Sequence, residues 1–504
     1  MVYQNHAEIQ YDNTFEQRIF LDTYLTATEV QKKMLRGRKS NTLQVRNVDC
    51  PLYEIHGDRV IFPRGFVEYF KDIKGVSLRN FFCNRVVVPK LSKEEIASSL
   101  QPEAGFDLRN DQITAVKKGL YLKRGIIQMP PGSGKTEVQA SILRFLFKYN
   151  TNLKVLVLEP TLELGRGVLR RFNSYNLDAT LYSENRSTSS SIVVAHVTSL
   201  LIDLKDNPNL LDNFNIVFWD EVHHSRCDTW LQLNKALRNV EYSLGFSALA
   251  IDEGNISDLS RMDLDERLIV GSTGSVLIHI NSLFYIDKGI LATPVIFQIN
   301  NIIDRGLSGN KVWTYLFAEG ISSADRNNRV ADVVEFFYQF KRKVLVLVGT
   351  KEQAFVIAEM LRDKNKELSY GISFGNKVSY LNDTKVTDDI VSMFDTNDIS
   401  ILLATTHLDE GIDIKNLDVC ILASGGKKDR RLIQRLGRVL RKTKKGRYAY
   451  IIDFADKGNG ILSRHATYRL NLYKNLIEVP SDLIYLDQDI VSLRKNFIAL
   501  EGLI

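Results

Sequence analysis

Hydrophobic positions in this chain come in short unbroken runs rather than in strict alternation. Residues 125–128 (GIIQ), 155–158 (VLVL), 192–195 (IVVA), 216–219 (IVFW) and 242–246 (YSLGF) form one series. Most are rich in β-branched side chains. Runs of this length without polar alternation read as strands buried on both faces. Longer stretches of helical texture separate them, which predicts βαβ units and a parallel sheet. The pattern then recurs at 343–348 (KVLVLV), 399–403 (ISILL), 419–423 (VCILA) and 448–452 (YAYII). The prediction is two α/β domains in tandem. Between the two series, 251–320 carries Gly254, Gly271, Gly274, Gly289 and Pro294 and reads as an insertion or connecting region. The first hundred residues differ. There, 53–63 (YEIHGDRVIFP) predicts two short strands about a Gly57-Asp58 turn, within a small α+β domain. The expected division is 1–103, 104–300 and 301–504.

Composition refines this only slightly. A length of 504 residues allows about three domains. With 25% charged and 44% hydrophobic residues, wholesale disorder, collagen-like repeats and a coiled-coil rod are excluded. The net charge of +6 permits a polyanionic partner without demanding one. Cys50, Cys83, Cys227 and Cys420 include no CxxC pair, so reduced thiols are expected, with neither a disulfide framework nor a structural zinc site. The N-terminus lacks the apolar core of a secretory signal, and no uncharged apolar run reaches the ~18 residues of a membrane span. The expectation is a protein of the cytoplasm with no membrane partner. The serine-rich patch 187–191 reads as a loop tip.

Two motifs carry chemistry. Met129-Pro130-Pro131-Gly132-Ser133-Gly134-Lys135-Thr136 follows a predicted strand and opens a helical stretch, which is the context of a phosphate-binding loop. Glycines let backbone N–H groups curl around phosphate oxygens, and the helix N-terminus adds its dipole. Lys135 would reach the β- and γ-phosphates, and the Thr136 hydroxyl would ligate Mg²⁺. Met129 stands where the general pattern has Gly. Further on, 216–224 (IVFWDEVHH) is an apolar strand ending in two carboxylates. Asp220 could hold Mg²⁺ through water, and Glu221 could orient or deprotonate an attacking water. An exposed acidic turn is the alternative. The histidines do not fit HExxH, so zinc is not proposed.

Together these residues resemble the DExH-type helicases of superfamily 2, from about Phe106 to Phe454, with the look of the phage UvsW / eukaryotic XPB branch of DNA helicases. Within that resemblance, Arg109 and Gln112 of LRNDQ imply an adenine contact, made by the Gln112 amide. Pro131, Gly132, Ser133, Gly134, Lys135 and Thr136 are motif I. Thr161 (EPTLEL) and Thr198 (TSL) fall in elements that contact the nucleic-acid backbone. Asp220, Glu221 and His223 belong to motif II. Ser247 and Ala248 belong to motif III, where Leu249 replaces the usual Thr; His223, Ser247 and Ala248 would couple the nucleotide site to strand movement. In the second domain, Thr350 falls in motif IV, and Thr405, Gly411 and Asp413 in motif V. Gln434, Arg438 and Arg441 fit QxxGRxxR, motif VI, whose arginines would face the γ-phosphate. These last positions lie at i, i+4 and i+7, with Gly437 at i+3, on one helical face. They sit within 427–447, which holds eleven basic residues against Asp429. A solvated basic face is the alternative there.

The resemblance implies two RecA-like P-loop domains that bind ATP and Mg²⁺ between them and hydrolyse ATP to move on nucleic acid. Duplex, forked or branched DNA is the expected partner, and a monomer the expected state. An RNA helicase, a translocase subunit of a restriction or defence system, and an ATP-holding switch remain alternatives. In the N-terminal region, Lys32, Lys33, Arg36, Arg38 and Lys39 are expected to grip duplex DNA; an exposed basic loop is the alternative.

Overall fold

The computed structural model describes residues 108–302, 321–374, 379–405, 417–425, 448–475 and 479–502, apart from 383, 387–389, 458 and 459. Before residue 108 it describes chiefly strand backbone. The chain divides into two compact units, one of residues 1–130 and 134–280, the other of 281–504 with the tripeptide 131–133.

In the N-terminal region, β1 (Val2–Tyr3), β2 (His6–Gln10), β5 (Glu54–His56) and β6 (Arg59–Pro63) form an antiparallel sheet, while β3 (Thr26–Arg36) and β4 (Asn41–Pro51) make a separate antiparallel ribbon. The expected strand pair around Gly57-Asp58 is β5 and β6, with His56 opposite Arg59. Lys32, Lys33 and Arg36 lie on β3 rather than on a loop; Arg38 and Lys39 lie outside the described residues.

The rest of the first unit is one parallel sheet of β7 (Arg124–Gln128), β8 (Val155–Glu159), β9 (Ala179–Leu181), β10 (Ile192–His196), β11 (Ile216–Asp220), β12 (Tyr242–Ser247) and β13 (Val276–His279), in the order β13-β7-β12-β11-β8-β10-β9. Every residue of β7, β8, β11 and β12 is buried, as unbroken apolar runs require. Each fully buried Val, Leu or Ile contributes about 1.5–3 kcal/mol relative to exposure. One core packs Leu156, Leu158, Val217 and Trp219 against Trp230, Leu233, Ile269 and Val270. The C-terminal ends of β7, β8, β11 and β12 therefore fall at one edge, where an open α/β sheet carries its ligands.

The second unit is a nine-stranded sheet. Its strands are β14 (Thr293–Ile302), β15 (Val344–Val348), β16 (Tyr370–Ser373), β17 (Ser379–Leu381), β18 (Thr384–Val386), β19 (Ile401–Thr405), β20 (Val419–Leu422), β21 (Tyr448–Lys457) and β22 (Ile484–Gln488). Their order is β18-β17-β16-β19-β15-β20-β21-β14-β22. Among the described strands of this unit, β17 pairs antiparallel with both β16 and β18, and the other pairings are parallel. A buried ion pair pins this unit. Arg326 Nε donates to Asp456 at 2.8 Å while Nη1 donates to the Ala423 carbonyl at 2.7 Å, and Asn301 donates to the same carboxylate at 2.8 Å.

One expectation changes. The second unit begins at Asn281 rather than after residue 300, because β14 pairs with β21 and β22. The region read as an insertion thus supplies the edge strand of one sheet, β13, and an inner strand of the other. Among the described residues, no helix is long and apolar enough to cross a membrane.

Candidate active site

The loop after β7 turns through two left-handed glycines, Gly132 (φ +77°) and Gly134 (φ +85°). Gly134 caps the helix Lys135–Tyr149. A Cβ there would sit 2.2 Å from Gln112 Nε2, so only glycine fits. Gln112 is fully buried. Its Oε1 accepts the Arg109 backbone N–H at 3.0 Å, and its Nε2 reaches the Gly134 carbonyl at 3.4 Å. Arg109 itself forks onto the Asp111 carboxylate at 3.1 and 3.2 Å. The two residues expected at adenine are thus tied to the phosphate loop and to their own helix N-terminus. Lys135 donates to the Met129 carbonyl at 3.1 Å. Thr136 is next on the same first turn, and Pro131 and Ser133 lie in the loop before it.

Asp220 is the last residue of β11. Its Oδ1 accepts the Glu221 backbone N–H at 3.0 Å. Burial, and then the neighbouring Glu221, push its carboxyl up to about 6, against the pull of Lys135. Glu221 takes a left-handed conformation (φ +45°), which costs a non-glycine residue about 1–2 kcal/mol. That turn lets the chain leave the strand into Val222–Arg226 and sets the Glu221 carboxylate 3.4 Å from His223 Nδ1. His223 Nδ1 also lies 3.0 Å from Ser247 Oγ at the end of β12, and the same hydroxyl accepts the Leu249 N–H at 3.3 Å. Ala248 is in the bend between them. Motifs II and III therefore meet through one hydroxyl.

Two residues in this site were not among the expected site residues. Glu159 ends β8, and the β8–β11 register sets it beside Asp220. It is fully buried, and burial followed by Asp220 and Glu221 hold its carboxyl well above the usual range. Gln139, one turn beyond Lys135, is also fully buried, and its amide faces Asp220 and lowers that carboxyl's proton affinity. The only cue to Glu159 is a charged residue closing an otherwise apolar strand.

This donor set fits Mg²⁺ and a triphosphate. A Cβ at Gly134 would run into the Gln112 amide, and burial, then the neighbouring carboxylates, raises the carboxyl groups of Asp220 and Glu159. Among the described residues no three His, Cys, Asp or Glu side chains converge on one point.

The four threonines expected at nucleic acid follow strand ends or close them. Thr161 and Thr350 have matching roles in the two units: each follows a central strand and caps the next helix, accepting from Leu164 N at 3.3 Å and from Gln353 N at 3.2 Å. Thr198 is exposed on the helix Val197–Leu204, and Thr405 is the buried last residue of β19. Gly411, Asp413, Gln434, Arg438 and Arg441 lie outside the described residues.

Two family models match the chain: "Type III restriction enzyme, res subunit" over residues 105–252, and "Helicase conserved C-terminal domain" over residues 326–443. The DNA 3'-5' translocase XPB2 of Sulfurisphaera tokodaii is 23% identical over 391 residues, 73% of this chain and 84% of the relative. The ATP-dependent DNA helicase uvsW of Enterobacteria phage T4 is 23% identical over 367 residues, 68% of each. Among solved structures, S. cerevisiae Dbp5 bound to RNA and ADP BeF3 matches with a TM-score of 0.50 at 16% identity, over 79% of this chain and 96% of that one. The likeness is one of fold, two tandem RecA-like domains.

Proposed function

We propose that this ATP-hydrolysing, nucleic-acid-dependent helicase acts on DNA, as a motor that remodels duplex, forked or branched substrates in replication, recombination or repair. The names of the XPB2 and uvsW relatives support DNA. The observation that carries the motor is the Ser247 hydroxyl, which joins His223 of motif II to the backbone of motif III beside Lys135 and Asp220.

The proposed division of labour follows from the residues. Lys135 would leave the Met129 carbonyl for the β- and γ-phosphates, and the loop N–H groups from Gly132 to Thr136 would cradle them. Gln112 and Arg109 would hold the base. Asp220 and Thr136 would hold Mg²⁺, which when bound draws charge from the phosphate oxygens. Glu221 would take the proton of the water that attacks the γ-phosphorus, as the bond to the β-γ bridging oxygen breaks and ADP leaves. Arg438 and Arg441, with Gln434, Gly411 and Asp413, are proposed to take part in the site and to stabilise the developing charge. Backbone contacts by Thr161, Thr198, Thr350 and Thr405 would carry no sequence information, which suits a motor.

The match to a restriction res subunit favours a second reading, translocation without strand separation. A panel of fork, Holliday-type junction, D-loop and RNA–DNA hybrid, with and without ATP, tests both. The DNA-remodelling proposal expects ATP-dependent displacement on branched DNA and stronger ATPase stimulation by DNA than by RNA. Stimulation by RNA alone would overturn it. Triplex displacement without strand separation would select the second reading.

A further inference from the structure

Gln128, the last residue of β7, is fully buried and stands apart from the phosphate-binding residues. Its side chain binds two other segments. Oε1 accepts the backbone N–H groups of Ala250 and Ile251, both at 3.0 Å. Two converging donors fix which end of the amide is oxygen. Nε2 therefore donates, to the Ile251 carbonyl at 2.9 Å and to His279 Nδ1 at 3.0 Å. His279 Nδ1 must then be the unprotonated nitrogen, with Nε2 turned toward Glu253 at 3.8 Å. One buried amide thus fills its hydrogen-bonding capacity across three strand ends.

Each of those ends has a separate task. Met129, the next residue, gives its carbonyl to Lys135 and its N–H to the Ser247 carbonyl at 3.0 Å. Ala250 and Ile251 continue directly from motif III. His279 closes β13, where Ile280 N–H returns to the Gln128 carbonyl at 3.0 Å and the chain passes at Asn281 into the second unit. Movement of the Lys135 ammonium from the Met129 carbonyl to a phosphate would release a backbone group one residue from this junction.

We propose that Gln128 is a positioning residue for coupling, holding the motif III segment and the strand that leads to the second domain in register with the phosphate loop, so that nucleotide state is passed to both. The inference rests on the motor reading above. It does not make Gln128 a catalytic residue, since its amide is spent on protein groups.

The experiment compares full-length wild type with Gln128→Leu, His279→Leu and His279→Asn. It measures the KM for ATP, ATPase turnover with and without DNA, and base pairs displaced per ATP, with near-UV circular dichroism as the folding control. Asn can present an amide oxygen near the Nδ1 position, whereas Leu presents no acceptor. Gln128→Leu is expected to keep the KM within about twofold while DNA stimulation and displacement per ATP fall about tenfold. His279→Leu should follow it, and His279→Asn should stay near wild type. Undiminished stimulation and displacement in Gln128→Leu would overturn the proposal, as would His279→Asn being as impaired as His279→Leu. Should Gln128→Leu not fold, the His279 pair decides by the same criteria. A wild-type enzyme that no nucleic acid stimulates would instead remove the motor itself, and the inference with it.

Discussion

Asp220→Asn should make the ligand-free first unit more stable while ending its chemistry. The Asp220 carboxyl moves from an ordinary 3.8 to about 6, with burial the largest cause and Glu221 the next. At about 1.36 kcal/mol per pH unit, that rise costs the folded state about 3 kcal/mol once the pH exceeds 6. The sign follows from proton counts. Below about 4 both folded and unfolded chains hold the proton and nothing is lost. Between 4 and 6 the unfolded chain releases it first, so stability falls as pH rises, and above 6 the loss is complete. The neutral amide escapes this while keeping an oxygen for the Glu221 N–H. Glu159 acts in the same direction, since Asp220 is among the groups that raise its carboxyl. Trp219, buried and adjacent, and Trp230, stacked near His224, report the unfolding of this unit. Urea titrations without Mg²⁺ at pH 4 and pH 8, followed by tryptophan fluorescence, should show equal midpoints at pH 4. At pH 8 the variant's midpoint should be about 1–3 M higher. A variant no more stable than wild type at pH 8, or an equal gap at both pH values, would refute the electrostatic account.

Lys135→Ala should lower DNA-stimulated ATPase about 100-fold in a steady-state phosphate-release assay, because a charge aimed at the phosphates is lost. Ser247→Ala removes the hydroxyl shared by His223 and Leu249; strand displacement per ATP should fall about tenfold with little change in the KM for ATP. Arg326→Met strands the Asp456 carboxylate in a buried site and should destabilise the second unit by about 3–5 kcal/mol by thermal melting, with Asp456→Leu in the same chain recovering much of it. Thr161→Asp and Thr350→Asp keep a helix-capping oxygen, so melting should hold within about 0.5 kcal/mol. If these threonines touch phosphates, the salt dependence of DNA binding should become shallower by about one phosphate per site.

The strands visible in the sequence are those whose charge, where they carry any, stands at an end. β7, β8, β10, β11 and β12 fall on the apolar runs because parallel strands buried on both faces admit little else. Where buried charge lies within a strand rather than at its end, the pattern fails. β21 continues to Lys457, five residues past the expected end at 452. Its extension holds Asp453 and Asp456, fully buried or nearly so and paired with Arg469 and Arg326. In composition such a segment looks like a surface turn. β14 was hidden by Pro294, which suggests a break. Yet its partner β22 engages only from Ile296 onward, so the missing N–H sits at the strand's start, where proline is tolerated. β9 and β13, with three and four residues, are too short to show a period.

The active site divides along the same line. Lys135, Asp220, Glu221, His223 and Ser247 were legible because their spacing around strand ends is set by the ligand they would face, and that spacing survives in the linear chain. Gln128, Gln139 and Glu159 face the protein. Their local sequence offers at most a polar residue closing an apolar strand, and charged or amide residues are exposed far more often than not. Register reveals Glu159 and Gln128, and the helix packing reveals Gln139. The pairing of Leu158 with Trp219 carries Glu159 alongside Asp220, and the pairing of Gln128 with both Ser247 and His279 brings three distant segments to one amide. A polar side chain closing an apolar strand beside a catalytic strand therefore warrants a functional test, because its desolvation is a cost to the fold that apolar packing would avoid.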